Sequence, residues 1–231
     1  MKFEVYILPG WAYSIEKWEP FVRLLKQKGV EVNLLKIPGL TEKLDKVWNV
    51  NDYVEWLRKK TNNKIILIGH SNGGRIALNF VAKYPNLVPN LVLIDSAGIY
   101  HDDLAIRLKR LIFKSIAKTA KKITNTQKLK DFLYKIVGEN DYRNATQNMK
   151  QTMLNLINSD KLLSFGNITT PTLIIWGKND KITRLSDAKL INKLIKNSTL
   201  HIIDGARHSP QFTNPVEVVN TIVKEINNKT I

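Results

Sequence analysis

The sequence predicts an α/β protein. Its core is a mostly parallel sheet of about six strands, covered by helices on both faces, with a helical cap inserted after the fourth strand. Three observations predict this. Short apolar runs alternate with amphipathic stretches along most of the chain, a pattern that implies right-handed crossovers between parallel strands. Three runs, Ile65-Ile66-Leu67-Ile68, Leu91-Val92-Leu93-Ile94 and Thr172-Leu173-Ile174-Ile175-Trp176, are almost wholly apolar, as expected of strands buried on both faces. The alternation fails once, from His101 to Phe165, where helical patterns occur without a strand.

The elements follow in order. Phe3 to Leu8 reads as the first strand and stops at Pro9-Gly10. Trp18, Phe21, Val22 and Leu25 give helical spacing from Trp18 to Lys28, closed by Gly29, a C-terminal stop signal. Val30 to Ile37 reads as the second strand, ended by Pro38-Gly39. Asn51 or Asp52 can cap a helix that runs to Lys60. After the Ile65–Ile68 strand a helix is expected from Gly73 to Lys83, and then the Leu91–Ile94 strand. Beyond the helical stretch come the Thr172–Trp176 strand, a helix over Ser186–Lys196, the strand Leu200–Ile203 and a closing helix over Pro215–Asn227. The expected organisation is a core of residues 1–100 and 166–231 carrying a cap of residues 101–165.

Composition narrows the function. A length of 231 residues suits one domain with an insertion. There is no Cys, which excludes disulfides, thiolate metal sites and a Cys nucleophile. No run approaches the ~18 uninterrupted apolar residues of a membrane span. Glu4 and the Pro9-Gly10 turn interrupt any signal-peptide pattern at the start, so a cytoplasmic location is expected. The 36 Lys+Arg against 20 Asp+Glu give a net charge of +16. Most of these cations are Lys scattered along the whole chain, whereas a nucleic-acid binder concentrates Arg and aromatics on one element. Nucleic acid is therefore the least supported partner.

Gly69-His70-Ser71-Asn72-Gly73 matches G-x-S-x-G between a buried strand and a helix. In that context the serine sits on a strained turn that places its Oγ at the carboxyl end of the sheet, at the N-terminus of the following helix. A serine needs a base. Of the four histidines, His70 lies inside the turn with its side chain expected to point away, His101 opens the helical stretch, and His201 sits among apolar neighbours in a strand. His208 follows the last strand, in a loop shaped by Gly205 and Pro210, and is the candidate base. The orienting acid is Asp180, after the Thr172–Trp176 strand, with Asp95, after the Leu91–Ile94 strand, as the competing candidate. The order Ser71, Asp180, His208 is the order this chemistry uses on such a sheet. The expected oxyanion donors are the backbone N–H groups of Asn72 and Trp11, the second in the loop after the first strand. No metal and no cofactor is expected.

Leu8-Pro9-Gly10-Trp11, Gly69-His70-Ser71-Asn72-Gly73-Gly74, Trp176-Gly177-Lys178-Asn179-Asp180 and Gly205-Ala206-Arg207-His208 together resemble the α/β-hydrolase superfamily, in its serine esterase-like form with a helical cap. The likeness spans nearly the whole chain. Asp141 to Asp160 is similar to the cap of small esterases, carbon–carbon bond hydrolases and proline iminopeptidase-like members. Two departures stand out. Pro9-Gly10 replaces the usual His-Gly of the oxyanion loop, and the chain begins on the strand before that loop, so the early antiparallel strands of larger members are expected to be missing. The resemblance implies hydrolysis of a small-molecule carboxylic ester of small or medium acyl chain. The same triad also serves carbon–carbon bond hydrolases, aminopeptidases and carrier-protein-linked ester hydrolases, and a ligand-binding scaffold of the same fold is the non-enzyme alternative.

Within the cap, residues 104–130 hold Arg107, Lys109, Arg110, Lys114, Lys118, Lys121, Lys122, Lys128 and Lys130 and no acid. Leu104, Leu108, Leu111, Ile112 and Ile116 share one helical face, which makes a basic amphipathic helix. It reads as a lid with solvated lysines, as a weak contact for anionic lipid, or as one for an acidic protein. Nothing in the sequence speaks to the oligomeric state.

Overall fold

The computed structural model describes residues 4–11, 14–101 and 145–228. The basic stretch 104–130 and most of the expected cap lie outside the described residues. Over the described residues the elements are β1 (Glu4–Leu8), α1 (Glu19–Gln27), β2 (Val32–Leu34), α2 (Val50–Lys60), β3 (Ile65–His70), α3 (Asn72–Lys83), β4 (Asn90–Ile94), α4 (Gln147–Ser159), β5 (Thr172–Gly177), α5 (Leu185–Leu194), β6 (Ser198–Ile203), α6 (Pro210–Thr213) and α7 (Pro215–Asn228). The six strands form one sheet in the order β2-β1-β3-β4-β5-β6, and every pairing is parallel. One row of partners runs across it: Leu34, Ile7, Ile68, Val92, Leu173 and Thr199.

Alternation along each strand divides the core into two layers. Leu8, Leu67, Leu93 and Ile174 face one side and pack with Tyr53, Val54 and Leu57 of α2, Ile76 and Phe80 of α3, and Ile191 of α5. Ile7, Ile66, Ile68, Val92 and Ile175 face the other and pack with Phe21 and Leu25 of α1 and Val218 and Ile222 of α7. Period-two alternation with apolar residues on both faces is what a covered parallel sheet requires.

Several boundaries move from their sequence positions. β2 pairs only over Val32–Leu34, against Val5–Ile7 of β1, so it is shorter than the apolar alternation from Val30 to Ile37 predicts. The cap of α2 is Asn49, not Asn51 or Asp52. Its side chain accepts from the N–H groups of Asn51 and Asp52, while the Asp52 carboxylate accepts from Asn49 N–H, closing a capping box. α6, a single turn after His208, went unread in the sequence.

α4 is seated on the segment before α2. Trp48 N–H donates to Thr152 Oγ1 at 2.9 Å, Asn155 Nδ2 donates to Trp48 O at 2.9 Å, and Asn148 Nδ2 donates to Asp45 O at 2.6 Å. Met149 and Ala145 pack there against Leu44, Trp11 and Trp48. No helix among the described residues is long and apolar enough to cross a membrane.

Candidate active site

All strands point the same way, so their carboxyl ends share one rim, where sheet-based sites form. Ser71 stands between β3 and α3 with φ 53° and ψ −119°. A left-handed φ is strained for any residue with a Cβ, and it turns the side chain up from the sheet edge. The strain is held by Ser71 O, which accepts from the N–H groups of Gly74, Arg75 and Ala97. Close packing holds it too. A Cβ on Gly10 would lie 2.8 Å from Ser71 Cβ, and one on Gly73 would overlap the Leu8 carbonyl. The loop after β1 and the start of α3 are thus pressed together around the serine.

The structure brings Ser71, His208 and Asp180 together in one line. Ser71 Oγ lies 3.1 Å from His208 Nε2, and His208 Nδ1 lies 2.8 Å from Asp180 Oδ2. A carboxylate can only accept, so Nδ1 carries the proton and Nε2 is left to accept from the serine hydroxyl. Asp180 is buried, which raises its carboxyl. The His208 hydrogen bond and charge, the Thr183 hydroxyl at 2.6 Å and the Ile182 N–H at 2.7 Å outweigh that and hold it below its ordinary value. Thr183 was not singled out in the sequence. Its signal was only that it follows Asp180 within a strand-end turn.

Asp95 is not the partner of His208. It is fully buried with φ 41°, and its Oδ1 accepts from Gly177 N–H at 2.9 Å. Burial first, and then the charge of Asp180, push its carboxyl up to about 9. It is therefore neutral where Asp180 is ionised. Two carboxyls that feel each other's charge cannot both ionise cheaply.

His70 departs from expectation. Its ring does not turn away; Nε2 donates to the His208 carbonyl at 2.9 Å, and the two rings lie 5.1 Å apart. Burial and then the His208 charge hold it down at about 3, so it stays neutral. It supports the His208 loop as a fixed donor. His201 also departs: β6 is an edge strand, and the ring is 41% exposed beside Glu217 at 3.4 Å. His101 meets Asp187 of α5 at 3.1 Å.

The Asn72 N–H belongs to the first turn of α3, where N–H groups have no acceptor within the helix, and the dipole there favours negative charge. Trp11 follows Gly10, which lies so near the serine that an added Cβ would meet Ser71 Cβ at 2.8 Å. Ligand atoms of His70, Asp95 and His208 lie within 4.8 Å of one another. With Asp95 neutral and both rings already hydrogen-bonded, this donor set suits a proton network better than a cation.

Residues 1–213 match the family described as serine aminopeptidase, S33. The chain belongs to that family. It is a hydrolase of the α/β-hydrolase superfamily. It is 25% identical over 254 residues to monoacylglycerol lipase ABHD6 of Mus musculus, covering 96% of this chain and 75% of that one. It is 24% identical over 246 residues to the pimeloyl-[acyl-carrier protein] methyl ester esterase of Wigglesworthia glossinidia brevipalpis, covering 94% of this chain and 92% of the relative. The bromoperoxidase of Bacillus anthracis superposes with a TM-score of 0.75 at 17% identity, over 98% of this chain and 92% of that one. That last likeness speaks to the fold alone.

Proposed function

We propose that this hydrolase cleaves carboxylic esters of small or medium acyl chain through Ser71, His208 and Asp180. The observation that carries the reading is the unbroken hydrogen-bond line from Ser71 Oγ through His208 to Asp180. In this mechanism Ser71 Oγ attacks the acyl carbon while His208 Nε2 takes its proton. Asp180 fixes the Nδ1–H tautomer and stabilises the imidazolium. The N–H groups of Asn72 and Trp11 receive the oxyanion. His208 then gives the proton to the leaving alcohol, and water, activated by the same nitrogen, releases the acid. Relatives named as a lipase and a methyl ester esterase support an ester substrate. The family description favours a second reading, cleavage of an aminoacyl bond.

The test is Ser71→Ala against a ladder of p-nitrophenyl esters, with aminoacyl p-nitroanilides in parallel and fluorophosphonate labelling of both proteins. Ester turnover and labelling should vanish in the variant while its melting temperature holds. Undiminished turnover in Ser71→Ala would overturn the nucleophile. Anilides cleaved faster than esters by the wild-type protein would move the assignment to the second reading.

A further inference from the structure

Arg75 lies on α3, one turn past the serine, and is 7% exposed at its side chain. Its Nε donates to Asp160 Oδ1 at 2.6 Å and its Nη2 to Asp160 Oδ2 at 2.8 Å, a paired contact, with Asp160 only 3% exposed. Its remaining arm, Nη1, donates to Asn72 Oδ1. Asp160 is the C-cap of α4. One guanidinium thus joins the end of α4 to the residue whose backbone N–H is the proposed oxyanion donor.

From this geometry we infer that Arg75 and Asp160 are positioning residues that hold the Asn72 N–H in register with Ser71, so that the seat of α4 sets the oxyanion hole. The inference rests on the reading of Ser71 and Asn72 given above. Three points support it. The peptide between Ser71 and Asn72 follows a strained residue, and no intrahelical acceptor steadies its N–H. The clamp on the Asn72 side chain supplies what the backbone lacks. A buried ion pair is weak as a device for stability alone, since apolar replacements of similar volume are often neutral or better. Finally, α4 is itself pinned to residues 45–48 by Thr152, Asn155 and Asn148. Any shift of α4 is therefore passed through Asp160 to Arg75 and on to Asn72. A displacement near 1 Å at such a donor costs up to ~10²-fold in rate.

The experiment measures kcat, KM, melting temperature and the Ki of a trifluoromethyl ketone, which adds to a serine as a tetrahedral oxyanion. The variants are Asp160→Asn and Asp160→Glu, with Lys83→Met as control. Asp160→Glu keeps the charge and moves it by one methylene, so it stays informative if Asp160→Asn fails to fold. Lys83 is on the same helix, in an exposed pair with Glu55. Both Asp160 variants should lower kcat at least about tenfold with KM nearly unchanged, and weaken the ketone by the same factor as kcat/KM. Lys83→Met should leave all four quantities as they are. Asp160 variants that lose melting temperature but keep kcat and ketone affinity within twofold would overturn the inference and leave a structural staple. That outcome is separable from failure of the site itself, which shows as turnover in Ser71→Ala.

Discussion

Asp180→Asn tests the order of protons in the site. Asp180 Oδ1 accepts from the Ile182 N–H at 2.7 Å and from the Thr183 N–H at 3.2 Å. An amide nitrogen cannot accept, so an asparagine must keep its carbonyl oxygen there and turn its NH2 toward His208 Nδ1. That nitrogen, 2.8 Å away in the native protein, must then accept. The imidazole proton moves to Nε2, which faces Ser71 Oγ at 3.1 Å as a donor. In that tautomer it cannot take the serine proton. The expected loss is about 10⁴ in kcat, or about 5 kcal/mol of barrier. Steady-state hydrolysis of p-nitrophenyl butyrate at neutral pH reads it, with a melting curve alongside. The Thr183 hydroxyl can turn to accept from the new NH2, so the fold should hold. A folded variant with kcat within tenfold of wild type would refute the tautomer reasoning and return Asp95 to consideration.

Two further predictions come from the same rim. Asp95 holds its proton up to about 9 in the folded chain against an ordinary 3.8. Between those values the unfolded chain releases a proton the folded one keeps, so stability present at low pH is lost as pH rises, by at most ~1.4 kcal/mol per pH unit for this one group. Asp95→Asn removes that term. Its melting temperature relative to wild type should climb steadily through this window, and a difference that stays constant with pH would contradict the buried neutral acid. Gly10→Ala places a methyl 2.8 Å from Ser71 Cβ and 3.1 Å from His70 Nδ1, so the loop must retreat. Ester turnover should drop by up to ~10²-fold with little change in melting temperature; wild-type kcat would show that the loop has slack.

What was legible in the sequence follows from the range of the interactions. β3, β4 and β5 were read almost to the residue because burial on both faces leaves a continuous apolar run, with every position of β3 and β5 buried. The serine, the two candidate acids and His208 are legible because all lie at the carboxyl ends of strands, Ser71 and Asp95 directly after β3 and β4, Asp180 and His208 in the loops that follow β5 and β6. Chain order alone favours Asp180 over Asp95, since both sit at such ends; what only the fold supplies is the geometry, the Asp180 carboxylate 2.8 Å from the imidazole. Arg75 and Asp160 are 85 positions apart, and their pairing leaves no local trace beyond a cation inside an apolar helix stretch. The alternation along Val30–Ile37 overstates β2 because it does not show how much of the run finds partners on β1, which is only Val5–Ile7. Asn49, Asn51 and Asp52 are all good cap residues, and only the capping box, which starts at Asn49 and uses Asp52 as its third helical residue, decides among them.

The uniform direction of the six strands has a practical side. The residues of the proposed site rise from the carboxyl ends, so the amino ends form a rim about a strand length away from them. Asn62, Asn63 and Lys64, just before β3, are exposed on that far rim. The chain contains no Cys. A cysteine introduced at Asn63 would thus be its single thiol, and coupling through it to a solid support would present every molecule with its carboxyl-end rim, and the proposed site on it, outward.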